Sequence, residues 1–468
     1  MKGKNFKLAK YREMDLTTGN LFKKLILFSF PIILTSILQL LYTQADLIVL
    51  RLYGEGNSSV SAVGVNGSLI NLIVGLFLGL AIGCNVVLAQ AKGRNDKEYA
   101  DKVLHSSILL ALIFGTIVAV FGAIFAKNFL HLLNVTDDVI DKAATYLTIY
   151  FIGMPFSLLY NYGASLQRGL GNSIRPLVTL IITGFINVGL NFIFVIPLKM
   201  DVAGVALATV LSMVCSAIIT LVELYVDKSA FVSLNFKKLK LDRKASFEII
   251  KIGLPAGLQS IVFSISNVGI QAEANLFGSA SEIGNTAASN IENYLYLYLN
   301  SVAVGCAAFV AQNYGSKNYE NIRKSIFYAG LIQIVSGLAF GAILYLLREP
   351  LLNLFINNSP EGYKIGEDRL TLLLFTYFIC GVMDVFSQTY RSEKYTFTPL
   401  IATFLGCLVI RLLFINTLFK LEYFHTLVWL YSVYPISWVI TVGIYLSIYI
   451  PIQRRIKVKL SENKQALE

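Results

Sequence analysis

The residue in this sequence best equipped for chemistry is an aspartate inside an apolar stretch. Asp46 lies in LLYTQADLIVL, and an acid at the centre of a membrane helix costs roughly 2.5–3.5 kcal/mol on insertion scales. An acid kept at that depth can take up and release a proton or a cation; the alternative is a structural hydrogen bond to a neighbouring helix. Asn187 and Asn191, spaced i, i+4 on one helix face, offer amides to the same site. Asn66, Asn71 and Asn161 are further amides of this kind, and each also fits a role as interhelical glue.

The second half of the chain carries different acids. Asp384 lies in FICGVMDVFSQTY, Glu292 opens the eighth span beside the aromatic run NYLYLYL, and Glu273 sits nearer the outer end of its span, within reach of the headgroups. Arg411 is a candidate partner for Asp384, in which case the pair is structural. Tyr294 belongs to an aromatic run with Tyr296 and Tyr298; a cavity joining aromatic faces to a carboxylate attracts lipophilic cations at about 0.5–2 kcal/mol per ring. A spacing of two prevents all three from facing one way on a helix. His105, His131 and His425 are isolated, and the five cysteines lie in apolar runs, so neither a metal site nor a disulfide framework is expected.

These groups are positioned by unusual elements. Of 468 residues, 56% are hydrophobic and only 14% charged, and the apolar residues come in runs of about 20, the length that crosses a bilayer as a helix. This composition excludes a soluble enzyme, a nucleic-acid-binding protein and a secreted disulfide scaffold. The net charge of +11 is spread over short loops rather than gathered in a patch. Twelve spans are expected, near 25–50, 60–88, 103–126, 143–166, 176–198, 203–226, 247–277, 286–311, 325–347, 370–390, 398–419 and 427–451. No cleavable signal is visible before the first. Thirty of the thirty-nine lysines and arginines fall on one side of this topology and eight on the other. By the positive-inside rule, both termini and the 228–246 connection are expected in the cytoplasm.

The chain repeats. Pro31, Gly54 and Asn66 recur as Pro255, Gly278 and Asn290; GCNVVLAQAKG at 83–93 recurs as GCAAFVAQNYG at 305–315; Arg168 and Pro176 recur as Arg391 and Pro399. The offset drifts by only two residues, whereas Asp46 falls on Ile270, so the duplicated frame keeps this carboxylate on one side alone. The expected architecture is an all-α membrane protein with twelve transmembrane helices in two pseudo-symmetric six-helix lobes around a central cavity. Its parts are a cytoplasmic segment (1–24), an N-lobe (25–227), a linker (228–246), a C-lobe (247–452) and a cytoplasmic tail (453–468). Such duplicated bundles suit alternating access. No phosphate-cradling Gly-x-x-x-x-Gly-Lys motif is present, which leaves an ion gradient as the energy source. One pH unit is worth about 1.4 kcal/mol per proton and 100 mV about 2.3 kcal/mol per charge moved.

The stretches MDLTTGN, FPIILTSILQLLYTQADLIVL, Arg168-Gly-Leu-Gly-Asn with Pro176, LPAGLQSIVFSISNVGIQ, NIENYLYLYLNSVAVG and VYPISW together resemble the bacterial branch of the multidrug and toxic compound extrusion (MATE) family over nearly the whole chain. The resemblance implies two six-helix lobes and exchange of protons or sodium ions for organic cations, with Asp46 as the coupling residue and no other cofactor. Where several members carry Asn-x-x-x-Asp in the fifth span, this chain has Asn187-x-x-x-Asn191, and Arg391-Ser-Glu-Lys replaces the Arg-Gly-x-Gly of the first half. The sodium-linked branch places acids in the seventh and tenth spans, which here hold Glu273 and Asp384.

The combined expectation is a monomeric inner-membrane antiporter, coupled to H⁺ with Na⁺ as the alternative at Asp46. Asn187 and Asn191 would support that site; Asp384, Glu292, Asn161, Tyr294 and Glu273 would line the path of small organic cations. The expected surroundings are the lipid bilayer, without nucleic acid. A flippase for lipid-linked precursors on the same fold, which would favour a basic cavity, and a membrane-embedded enzyme are the competing readings.

Overall fold

The computed structural model describes residues 13–132, 135–228, 230–356 and 359–465. Seven helices come first: α1 (Leu21–Tyr53), α2 (Asn57–Gly93), α3 (Lys97–Leu132), α4 (Asp137–Ile152), α5 (Met154–Gly169), α6 (Ile174–Val195) and α7 (Asp201–Val226). Nine follow: α8 (Arg243–Asn275), α9 (Ser279–Gly315), α10 (Tyr319–Leu346), α11 (Arg348–Phe355), α12 (Pro360–Leu373), α13 (Tyr377–Ser392), α14 (Phe397–Thr403), α15 (Ile410–Asn416) and α16 (Leu427–Gln465). A π-helical turn, Phe404–Val409, joins α14 to α15. Among the described residues, ten helices or helix runs are long and apolar enough to cross a bilayer, and counting each of two bent pairs as one span brings the number to twelve. The outward faces carry exposed large apolar side chains such as Phe121, Phe185 and Phe327, as a lipid solvent requires.

The expected fourth and tenth spans are bent rather than straight. α4 and α5 meet at 50°, and α12 and α13 at 52°. The first bend falls at Gly153, just before Pro155, whose ring removes a backbone donor. The second falls at Thr376, one repeat later, where the hydroxyl donates to the carbonyls of Leu372 (3.3 Å) and Leu373 (3.0 Å). The tenth span also begins ten residues before the expected boundary of 370, at Pro360, which carries Arg369 into the bundle. α11 was not expected at all.

The chain forms two compact units. Among the described residues, one comprises 13–16 with Leu34–Leu254, the other Thr17–Ile33 with 255–465. In each repeat the change of unit falls within three residues of the matched proline, Pro31 or Pro255. In the first unit, a side chain on Gly83 would collide with the Ile249 carbonyl, and one on Gly253 with Leu80; these glycines let α2 and the start of α8 touch backbone to backbone. The 228–246 connection is tied to the same unit. His105 pairs through Nε2 with the Asn235 backbone (3.0–3.1 Å), and the Asp242 amide donates to Ser106 Oγ at 2.9 Å.

Candidate functional site

In the first unit, α1, α6 and α7 bring four polar side chains into one closed ring. Asn191 Nδ2 donates to Asp46 Oδ1 at 2.6 Å, and Thr209 Oγ1 donates to Asp46 Oδ2 at 3.2 Å. Asn191 also donates to Asn187 Oδ1 (3.3 Å), and Asn187 Nδ2 donates to Thr209 Oγ1 (3.4 Å). Asp46 is only 6% exposed. Its two donors are an amide and a hydroxyl, with the second amide, Asn187, one bond further round the ring and no base among the three. Asn191 Oδ1, buried beside the carboxylate, has no hydrogen-bond partner. The site therefore presents acceptor oxygens without a countercharge, a set that can hold a proton or a small cation.

Packing fixes this geometry. One turn before Asp46, the Tyr42 ring fills the space that a side chain on Gly184 would occupy, and its hydroxyl donates to the Leu180 carbonyl at 3.2 Å. Gly184, Asn187 and Asn191 share one face of α6, so the glycine that admits Tyr42 also sets the approach of the amides to Asp46. On α4, Tyr146 and Tyr150 stack at 6.1 Å and lie within reach of the Asp46 charge.

Two other amides of this half are engaged elsewhere. Asn66 bridges α2 to α4, donating to the carbonyls of Ala62 (2.8 Å) and Ala143 (2.9 Å); Asn161 donates to Ser157 of its own helix at 2.8 Å. The Asn71 side chain lies outside the described residues.

In the second unit, Asp384 on α13 accepts from Asn300 Nδ2 on α9 at 3.0 Å. Tyr296, one turn earlier on α9, stacks on Phe263 with centroids 6.4 Å apart, whereas Tyr298 meets Phe340 on α10. The run thus divides between faces, as its spacing requires. Tyr294 is half-buried, and so is Glu273 in the last turn of α8.

Glu292 has a partner that the expected span boundaries hid. Arg369 Nε and Nη2 reach its two carboxylate oxygens at 2.8 Å each, Tyr377 donates to it at 3.2 Å, and Asn285 accepts from the same guanidinium. The rings of Tyr431 and Tyr434 lie 5.1 and 5.4 Å from the arginine. Arg411 does not bond Asp384. It donates to Asn267 (2.6 Å), Ser437 (2.9 Å) and Ser266 (3.2 Å), and lies against the Tyr434 ring at 4.6 Å.

Three partners escaped the sequence. Thr209 and Asn300 are commonplace residues in membrane helices, and nothing in their neighbours marks them. Arg369 was legible only through the helix start at Pro360. Among the described residues, no group of three or more His, Cys, Asp or Glu side chains is arranged to hold a metal ion.

The family model MatE matches residues 31–193 and 255–416, one copy in each half. The chain is 27% identical over 410 residues to the probable multidrug resistance protein YpnP of Bacillus subtilis, covering 84% of this chain and 91% of that one. It is 24% identical over 399 residues to the probable multidrug resistance protein NorM of Thermotoga maritima, covering 83% and 84%. A crystal structure of MATE in complex with MaL6 superimposes with a TM-score of 0.87 at 23% identity, over 96% of this chain and 98% of that one. An outward-facing MATE transporter superimposes with a TM-score of 0.85 over 96% and 98%, also at 23% identity.

Proposed function

Starting from the fact that the chain belongs to the MatE family of multidrug efflux transporters, we propose that it is an antiporter exporting cationic amphipathic compounds in exchange for protons, with sodium as the alternative coupling ion. The observation that carries this reading is the Asp46 ring: a carboxylate at membrane depth, held by Asn191 and Thr209 and matched by no base. An unneutralised charge there is costly, so loading and unloading a cation changes the stability of the surrounding helix packing. That is the coupling an alternating-access exchanger needs.

Asn187 and Asn191 position the carboxylate, and Thr209 closes the ring. Asp384 with Asn300, beside the stacked Tyr296 and Phe263, supplies a second acidic and aromatic surface suited to lipophilic cations. Glu292 adds no net charge, because Arg369 accompanies it. The charge distribution supports a chain in the cell membrane with both termini in the cytoplasm. Relatives named as multidrug resistance proteins are in keeping with this substrate class. Ethidium efflux from cells expressing the wild type or Asp46→Asn tests the reading: efflux is expected to fall to the background rate in the variant, and unchanged efflux removes Asp46 from the mechanism.

A further inference from the structure

A second buried acid lies far from the Asp46 ring in sequence and has no place in the exchange described above. Glu393 follows the last turn of α13, at the end of the bundle that the charge count assigns to the cytoplasm. It is 1% exposed. Its two carboxylate oxygens share a single neutral donor, Gln453 Nε2 on α16, at 2.8 and 3.0 Å. The same amide's oxygen, Gln453 Oε1, is buried and has no hydrogen-bond partner. One amide hydrogen group is thus divided between two acceptors while a third acceptor beside them stays unsatisfied. Buried acceptors are rarely left so.

A proton resolves this arrangement. With one carboxylate oxygen protonated, the Glu393 hydroxyl donates to Gln453 Oε1 and Gln453 Nε2 donates to the other Glu393 oxygen. The acid and the amide then form a cyclic pair in which every polar atom is matched. The surroundings offer little else to balance a negative charge. Arg391, two residues away, aims its guanidinium at Gln259 Oε1, which also accepts from Ser387 at 3.2 Å. The neighbours within reach of the Glu393 charge are Cys306 on α9, Tyr390 on α13, Tyr395 in the following turn and Tyr449 on α16. Of the cations further out, Arg455 lies near Tyr395 and Arg323 of α10 near Tyr449, while Lys394 is exposed. Burial pushes the Glu393 carboxyl up to about 8, opposed by the Gln453 amide.

The position matching Glu393 in the first half is Leu170, an apolar side chain whose carbonyl accepts from Lys92 Nζ of α2; Lys92 also pairs with Glu13. The duplicated frame thus keeps this acid, like Asp46, in one half only. We propose that Glu393 and Gln453 form a proton-binding site that clasps α13 to α16, closed when the carboxyl is protonated and weakened when it ionises. The ligand is a proton, and the site is independent of the one at Asp46.

Difference infrared spectroscopy on the full-length protein in nanodiscs, titrated from pH 6 to pH 10, tests this directly. The wild type is expected to show the C=O stretch of a protonated carboxyl at pH 6, lost with a midpoint near 8, and Glu393→Gln is expected to lack it. Gln453→Met removes both the donor to the ionised acid and the acceptor of the protonated one; because the clasp closes on the protonated form, the midpoint is expected to fall by a pH unit or more. This second variant keeps the test decisive if Glu393→Gln does not fold. Amide exchange of 388–396, corrected for the chemical rate, is expected to rise about tenfold from pH 6 to pH 7 in the wild type, to level off above pH 8, and to stay level throughout in Glu393→Gln. A Glu393 carboxyl already ionised at pH 6, or a titrating band that neither variant alters, overturns the proposal. None of these readings involves transport, so a negative result at Asp46 leaves the outcome unaffected.

Discussion

Asn191 Nδ2 donates to Asp46 Oδ1 across 2.6 Å, joining α6 to α1 over 145 residues of chain. A hydrogen bond to a charged group contributes roughly 1.5–3 kcal/mol, so this contact does much to define the ion site. Asn191→Leu is therefore expected to alter the apparent affinity for the coupling ion by about tenfold or more, with folding retained. Cation uptake into proteoliposomes as a function of ion concentration measures it; an unchanged affinity would show that Asn191 only packs.

The same geometry depends on a residue with no polar group. A side chain on Gly184 would overlap the Tyr42 ring, so Gly184→Val is expected to push α1 away from α6 and to lower transport by at least tenfold. Tyr42→Ala opens the space, and the double variant is expected to recover much of the loss, a coupling that a double-mutant cycle reports. Simple addition of the two losses would place the fault elsewhere.

The buried pair of Glu292 and Arg369 behaves differently from an open cation site. Removing one partner strands a buried charge at about 3–5 kcal/mol, whereas replacing both with apolar residues is often close to neutral. Glu292→Gln should thus lower Tm markedly, while Glu292→Met with Arg369→Met should be closer to the wild type. Tetraphenylphosphonium affinity per folded molecule is expected to be unchanged in the double variant. A large loss of affinity there would make Glu292 a substrate ligand.

Much of this was legible in the sequence, for identifiable reasons. Membrane helices declare themselves by length and apolarity, and the repeat by its ordered glycines and prolines; the run around Asp46 and the i, i+4 spacing of Asn187 and Asn191 named three members of the ring. The partner residues were less visible. Thr209 and Asn300 acquire meaning only through tertiary neighbours. Arg369 looked like a loop residue because a charged first turn blurs where an apolar span begins. The bends at Gly153 and Thr376 were hidden for a similar reason, since hydropathy reports depth and is blind to direction.

The raised pKa of Glu393 carries a pH dependence whose sign can be worked out. The folded state binds this proton more tightly than the unfolded chain, where a glutamate titrates near 4.3. The stabilisation is complete below that value, falls as pH rises, and is exhausted above the folded value of about 8. Thermal unfolding of the wild type in detergent is expected to lose this contribution between about pH 4.5 and pH 8, and Glu393→Gln to lack that component. Identical pH profiles would show that Glu393 contributes nothing.

Coupled transport in this chain depends on the Asp46 carboxylate. The direct measurement is ethidium transport in proteoliposomes, driven in separate trials by an imposed proton gradient and an imposed sodium gradient, with wild type and Asp46→Asn compared at equal reconstitution. The wild type should transport under the proton gradient, or under sodium if that is the coupling ion, and the variant under neither. Gradient-driven transport by Asp46→Asn at the wild-type rate would contradict the account.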